Sequence, residues 1–339
     1  MHKLALAPLV FMLGGCLGLA APDHPHPDQP KGGAGDPNMN PDPGTQPPGS
    51  GMPSCGGMDF ALSRVPPNVM LVLDRSGSMG DPIAAASSTA KWDDLKSALQ
   101  STVTSYDASV RFGVSLFSDP ASADPDGCGA GKVDVAVGPS NGGKVLAQVN
   151  AQSPGGSTPT AASLAAIAAT AMLNDPTRDN YVVLATDGQP NCADTDVVGK
   201  ITALYNAKPP VKTFVIGVGD GTASDPQALD SWAVAGHTDR PGATKYYQVN
   251  SPADLKTAFD TIAGDVATCS FHMSQAAPDP SLLYVWSNMQ SVPADPANGF
   301  TYDPATQTVT LHGASCDAIK ANPSAKVQVV YGCASPPIG

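Results

Sequence analysis

Three short pieces of the chain carry oxygen donors in an order that suits a hard divalent cation. The first is Asp74-Arg75-Ser76-Gly77-Ser78, directly after the apolar run Val69-Met70-Leu71-Val72-Leu73. The second is Thr158, within Gly155-Gly156-Ser157-Thr158-Pro159-Thr160, and the third is Asp187, within Leu184-Ala185-Thr186-Asp187-Gly188. A strand that ends in alternating Asp, Ser and Ser on a tight turn directs three oxygen side chains into one small volume. A threonine hydroxyl and a second carboxylate from other loops complete the donor set. Magnesium suits such a set best, because it takes near-octahedral oxygen ligands and keeps some waters, with manganese and calcium as alternatives.

Such convergence requires strands whose ends meet. Strands are expected at 68–74, 110–117, 180–186, 211–218 and 244–249, alternating with helical patterns at 91–105, 142–150, 159–173, 194–207, 225–235 and 252–267. That alternation predicts an α/β fold, a doubly wound, mostly parallel six-stranded sheet flanked by helices. The strands at 68–74, 180–186 and 211–218 are nearly continuous Val, Ile, Leu and Phe, as burial on both faces requires. The sixth, at 132–137, alternates polar and apolar residues and is expected as the antiparallel edge. In such sheets ligands bind beyond the carboxyl ends of strands at a switch in strand order, which is where Asp74 and Asp187 fall.

The three pieces together resemble the von Willebrand factor type A domain with its metal-ion-dependent adhesion site. Asp74, Ser76, Ser78, Thr158 and Asp187 match the five family positions, and the resemblance spans about residues 55 to 268. It implies that the two serines and the threonine bind the ion directly while the carboxylates act mostly through water. A partner's Asp or Glu would then complete the coordination. Arg75 occupies a position where the family tolerates many residues and is expected as an exposed rim charge.

Of the 339 residues only 14% are charged, against roughly 25% in typical soluble proteins. The formal net charge of −12 argues against nucleic acid or an anionic membrane surface as an electrostatic partner. Residues 1–15 read as a signal peptide ending at Leu13-Gly14-Gly15-Cys16, which looks like a bacterial lipobox with Cys16 as the acylated residue. The bland alternative is an ordinary secretory leader. On either reading the chain is exported, and the lipid anchor points to the cell envelope, to the outer membrane or cell surface of a bacterium. Residues 16–54, rich in Pro and Gly and almost without large apolar side chains, read as a disordered linker. Residues 269–339 change to short β patterns at 282–286, 300–303, 308–311 and 326–331, a small β-rich domain.

Six cysteines besides Cys16 are expected to form three disulfides in an exported chain. The family resemblance brings the ends of the large domain together and so suggests Cys55–Cys269. It also places Cys128 and Cys192 in loops on the metal rim, leaving Cys316–Cys333 for the small domain. Cys55 could instead reach Cys316 or Cys333.

Rival chemistry is thin. Gly138-Pro139-Ser140-Asn141-Gly142-Gly143-Lys144 has phosphate-loop spacing, but Val145 stands where a magnesium-binding hydroxyl belongs, so no nucleotide is expected. Asp119, Asp124 and Asp126 lack calcium-loop spacing and read as a turn-rich rim loop beside the metal site. His237, His272 and His312 have no evident nucleophile or orienting carboxylate. The expectation is therefore a non-enzymatic, lipid-anchored protein that binds a protein or peptide ligand through a divalent metal. The alternatives are an accessory or assembly subunit docking on a larger complex and, behind it, a metal-dependent hydrolase.

Overall fold

The computed structural model describes residues 58–219, 225–322 and 325–332. The leader, Cys16, the 16–54 linker, Cys55 and Cys333 lie outside the described residues. Fourteen strands and seven α-helices make up the described regular structure, with 3-10 turns at Gly77–Gly80 and Pro280–Leu282.

A six-stranded sheet holds the larger part. It is built from β3 (Asn68–Asp74), β4 (Arg111–Phe117), β5 (Lys132–Gly138), β6 (Asn180–Thr186), β7 (Val211–Val218) and β8 (Tyr247–Val249). The spatial order is β5-β4-β3-β6-β7-β8, parallel except for the antiparallel edge β5. One face packs on α1 (Lys91–Tyr106), α2 (Gly142–Asn150) and α6 (Pro252–Val266) through Val69, Leu71 and Leu73. The other face sends Met70 and Val72 toward α3 (Thr160–Ala168), α4 (Val197–Tyr205) and α5 (Pro226–Ala235). All seven residues of β3 are buried, so the strand can hold no solvated polar face. Each buried Val or Leu contributes roughly 1.5–3 kcal/mol, which makes β3 a rigid platform for the residue at its end.

After β3 the chain goes first to β4 on one side and later to β6 on the other. The resulting crevice lies between the carboxyl ends of β3 and β6, where Asp74 and Asp187 sit.

The smaller part holds more than the expected β patterns. Beside β9 (Ser270–Met273), β10 (Leu283–Ser287), β11 (Gln290–Val292), β12 (Phe300–Asp303), β13 (Thr308–Leu311) and β14 (Val327–Tyr331), it recruits β1 (Met58–Phe60) and β2 (Leu62–Arg64). The strands form two antiparallel sheets, β1-β14-β10-β11 and β12-β13-β9-β2, around a shared apolar core. Residues 58–64 thus belong structurally with the C-terminal strands, and the large sheet is inserted between β2 and β9. A helix at Gly313–Ala321, α7, lies outside the expected β pattern; His312 sits at its N-terminal cap and its Nε2 lies 2.7 Å from Thr301 Oγ1.

The disulfides correct two of the proposed pairings. Cys128 is bonded to Cys192, tying the loop after β4 to the loop after β6. Cys269, however, is bonded to Cys316, which excludes both Cys55–Cys269 and Cys316–Cys333. The physical reason is the insertion: Cys269 directly precedes β9, inside the small part, and belongs to its apolar core with Phe271 and Val309.

Candidate metal centre

Asp74 is the last residue of β3 and is fully buried. Its Oδ1 accepts from the Ser76 amide at 2.8 Å, and its Oδ2 accepts from Thr186 Oγ1 at 2.6 Å. Burial, reinforced by the nearby Asp187 carboxylate, raises its pKa to about 6 despite these hydrogen bonds. Burial penalises the ionised form of this carboxyl, and a nearby positive charge would relieve that penalty.

The backbone after Asp74 tightens into the 3-10 turn that carries Ser78. Ser76 Oγ and Ser78 Oγ stand 3.2 Å apart, and Ser78 Oγ donates to Asp187 Oδ1 at 2.9 Å. Four of the five predicted residues therefore form one hydrogen-bonded chain running from Asp74 to Asp187. Thr158 is buried, and its loop is stitched to the same turn: the Gly77 amide donates to Gly156 O at 3.0 Å, and the Gly155 amide donates to Arg75 O at 2.7 Å. Gly156 has φ +81°, and a Cβ there would meet Ser118 Oγ at 2.0 Å, so this close approach requires glycine. The Thr158 amide donates to Asn191 Oδ1 at 2.7 Å, which fixes the residue from the β6 side.

Hydroxyls supply three of the five groups. Among the described residues no cluster of three or more His, Cys, Asp or Glu could hold a metal ion. The donor set, oxygen throughout, fits a hard, oxygen-seeking cation of the magnesium class.

Sequence reading missed three residues of the rim and misjudged a fourth. Thr186 and Asn191 hold Asp74 and Thr158 as described. Lys91, the first residue of α1, is only 6% exposed; its Nζ lies 2.9 Å from Asp187 Oδ2 and 3.3 Å from Ser78 O. A cation at a helix N-terminus opposes the helix dipole, and that breach was the available signal. Arg75 is not an exposed rim charge. It is buried, with Nε donating to Ser118 O at 2.8 Å and Nη1 to Ser153 O, so it clamps the loops behind the site.

The remaining candidates take structural places. Asp107 Oδ1 accepts from the Gly142 amide at 2.8 Å, so an internal carboxylate already occupies the helix start that a phosphate would need. Asp119 pairs with Lys132, Asp124 caps the Asp126 amide, and Asp126 O accepts from Ser157 Oγ, which lays this loop against the Thr158 loop. His237 stacks on Tyr205 and His272 is an exposed residue of β9.

No curated protein sequence matches the chain. Among solved structures, proximal thread matrix protein 1 from the mussel byssus aligns at 16% identity and TM-score 0.44, over 62% of this chain and 50% of its own. The PilB minor pilin from Streptococcus sanguinis aligns at 14% identity and TM-score 0.44, over 60% of this chain and 62% of its own. The pilus adhesin SpaC from Lactobacillus rhamnosus GG, in an open conformation, aligns at 16% identity and TM-score 0.46, over 79% of this chain and 39% of its own. The chain thus spans roughly 39–62% of the length of these relatives. The family model for the von Willebrand factor type A domain matches residues 68–261, which contain the whole six-stranded sheet and every rim residue described above. With more than half of its length matched, the chain belongs to the von Willebrand factor type A domain family, a family of non-catalytic protein-interaction modules.

Proposed function

We propose that the protein is an exported, lipid-anchored binding protein whose rim captures a protein or peptide carboxylate through a divalent cation, magnesium before manganese or calcium. The observation that carries this reading is the hydrogen-bonded chain of Asp74, Ser76, Ser78 and Asp187 at the strand ends, with the Thr158 loop stitched to it. Ser76, Ser78 and Thr158 would hold the cation through their hydroxyls, with Asp74 and Asp187 acting mainly through water. A bound cation supplies a Lewis-acidic position open to one further oxygen ligand.

The chain's own residues prepare that position. Asp74 is held by two donors, so it does not have to reorganise. The Cys128–Cys192 bond fixes the two loops that flank the crevice, which limits the entropy lost when a partner docks. Cys16 would tether the domain to the envelope, with residues 17–54 as a spacer; its acyl chains would contribute ~0.8 kcal/mol per buried methylene. No helix among the described residues is long and apolar enough to cross a membrane.

Calorimetric titration of the full chain with Mn2+ tests the site. Binding is expected in the wild type and lost in Asp74→Ala, and a wild type that takes up no divalent ion would overturn the reading. Membrane fractionation of Cys16→Ser tests the anchor: the variant is expected in the soluble fraction, and continued sedimentation with membranes would contradict lipidation.

A further inference from the structure

Lys91 is a buried lysine at the start of a helix, and its pairing with Asp187 is what makes that place tolerable. Lysine is rarely buried without a partner, and a cation at the first position of a helix faces the positive end of the dipole. The surroundings accommodate it nonetheless. The Lys91 amide donates to Asp81 O at 2.9 Å, which returns the 81–90 loop to the rim and sets the start of α1. Gly219, at φ +81°, leaves the slot for the lysine stem: a Cβ there would stand 2.9 Å from Lys91 Cε and 2.9 Å from Ile83 O. The ammonium ends 2.9 Å from Asp187 Oδ2, while Asp187 Oδ1 is held by Ser78 Oγ. A buried cation delivered to one oxygen of a candidate metal-site carboxylate alters what that site attracts.

We infer that Lys91 sets the charge of the rim, lowering its affinity for a divalent ion in order to raise the loaded rim's affinity for an acidic ligand. The inference rests on the cation reading proposed above. Asp74 and Asp187 bring two negative charges, and Lys91 returns one. A divalent ion then leaves the hydrogen-bonded cluster with one net positive charge; without Lys91 the sum would be zero. A net positive, partly buried rim draws a carboxylate more strongly than a neutral one, since Coulomb terms are only weakly screened there. The same ammonium repels the incoming cation. Lys91 is thus a positioning and charge-setting residue, coupling weak ion binding to strong ligand capture.

The signature is a pair of opposite shifts that a purely structural salt bridge would not produce. In Lys91→Met, which keeps the stem packing, Mn2+ affinity measured by calorimetry on the full chain is expected to rise about tenfold or more. Acetate, titrated into the Mn2+-loaded protein and read by water-proton relaxation, is expected to bind several-fold more weakly than in the wild type. Where Lys91→Met fails to fold by circular dichroism, Lys91→Gln is measured instead with the same two directions expected. Folded variants whose Mn2+ affinity is unchanged or reduced, or whose acetate affinity is not reduced, overturn this inference while leaving the parent reading in place. A wild type that takes up no Mn2+ sinks both.

Discussion

The rim and the small β part are held by opposite means. At the rim, buried oxygens and one buried ammonium satisfy each other across loops, and few apolar atoms take part. In the small part, Phe60, Phe271, Val285, Val309, Leu311 and Val329 close on one another between two sheets, with Cys269–Cys316 at the edge of that core. Apolar packing is indifferent to pH and ions, whereas a cluster of paired charges responds to both. The buried charges that respond to ions are thus gathered at the carboxyl ends of the large sheet's strands, whereas the core of the small part is apolar.

That contrast can be broken by mutation. Phe271→Ala should destabilise the small part by about 3–5 kcal/mol in denaturant titrations, through a cavity in its core. Mn2+ binding at the rim should not change. Removing either disulfide should lower stability by about 4 kcal/mol, since the bridges close segments of similar length, 64 and 47 residues. Only loss of Cys128–Cys192 should also weaken ligand capture; equal effects of the two on binding would erase the distinction.

A finer test isolates the charge pair. Asp187→Ala strands the Lys91 ammonium and should cost about 3 kcal/mol, beyond its effect on Mn2+ binding. Adding Lys91→Met should recover most of that loss, and a purely additive double variant would show that the two are not coupled.

The last contrast is a pH dependence. The folded protein holds a proton on Asp74 up to about pH 6, well above the ordinary carboxylate value of 3.8. In chelator, this group's contribution to stability is fully present below pH ~4 and lost as pH rises through about 6. Mn2+ uptake should move the other way, strengthening as the pH rises through the same window. The Phe271 core should show neither trend.

The same contrast explains what could be read from the sequence. The central strands were legible because β3, β6 and β7 are buried on both faces and written as continuous apolar runs. That Asp74, Ser76, Ser78 and Asp187 would lie together was legible because each ends a strand or sits in the turn just after one, where backbone geometry sets side-chain direction. The pairing of β1 with β14 and of β2 with β9 was not, since three-residue strands carry too little pattern to announce partners more than 200 positions away. Lys91 was missed for a related reason. Its partner Asp187 lies 96 residues on, and only the folded crevice brings them together.

One consequence of the inserted topology concerns mechanical load. Met58 pairs with Tyr331 within the small part, whereas β3, which starts shortly after β2, ends at Asp74 on the rim. Tension applied between residue 58 and a partner held by an ion seated on both the turn after β3 and Asp187 after β6 would load β3 against β6 along the strand axis. The parallel ladder between β3 and β6 would then be sheared, all its bonds loaded together instead of unzipped one by one.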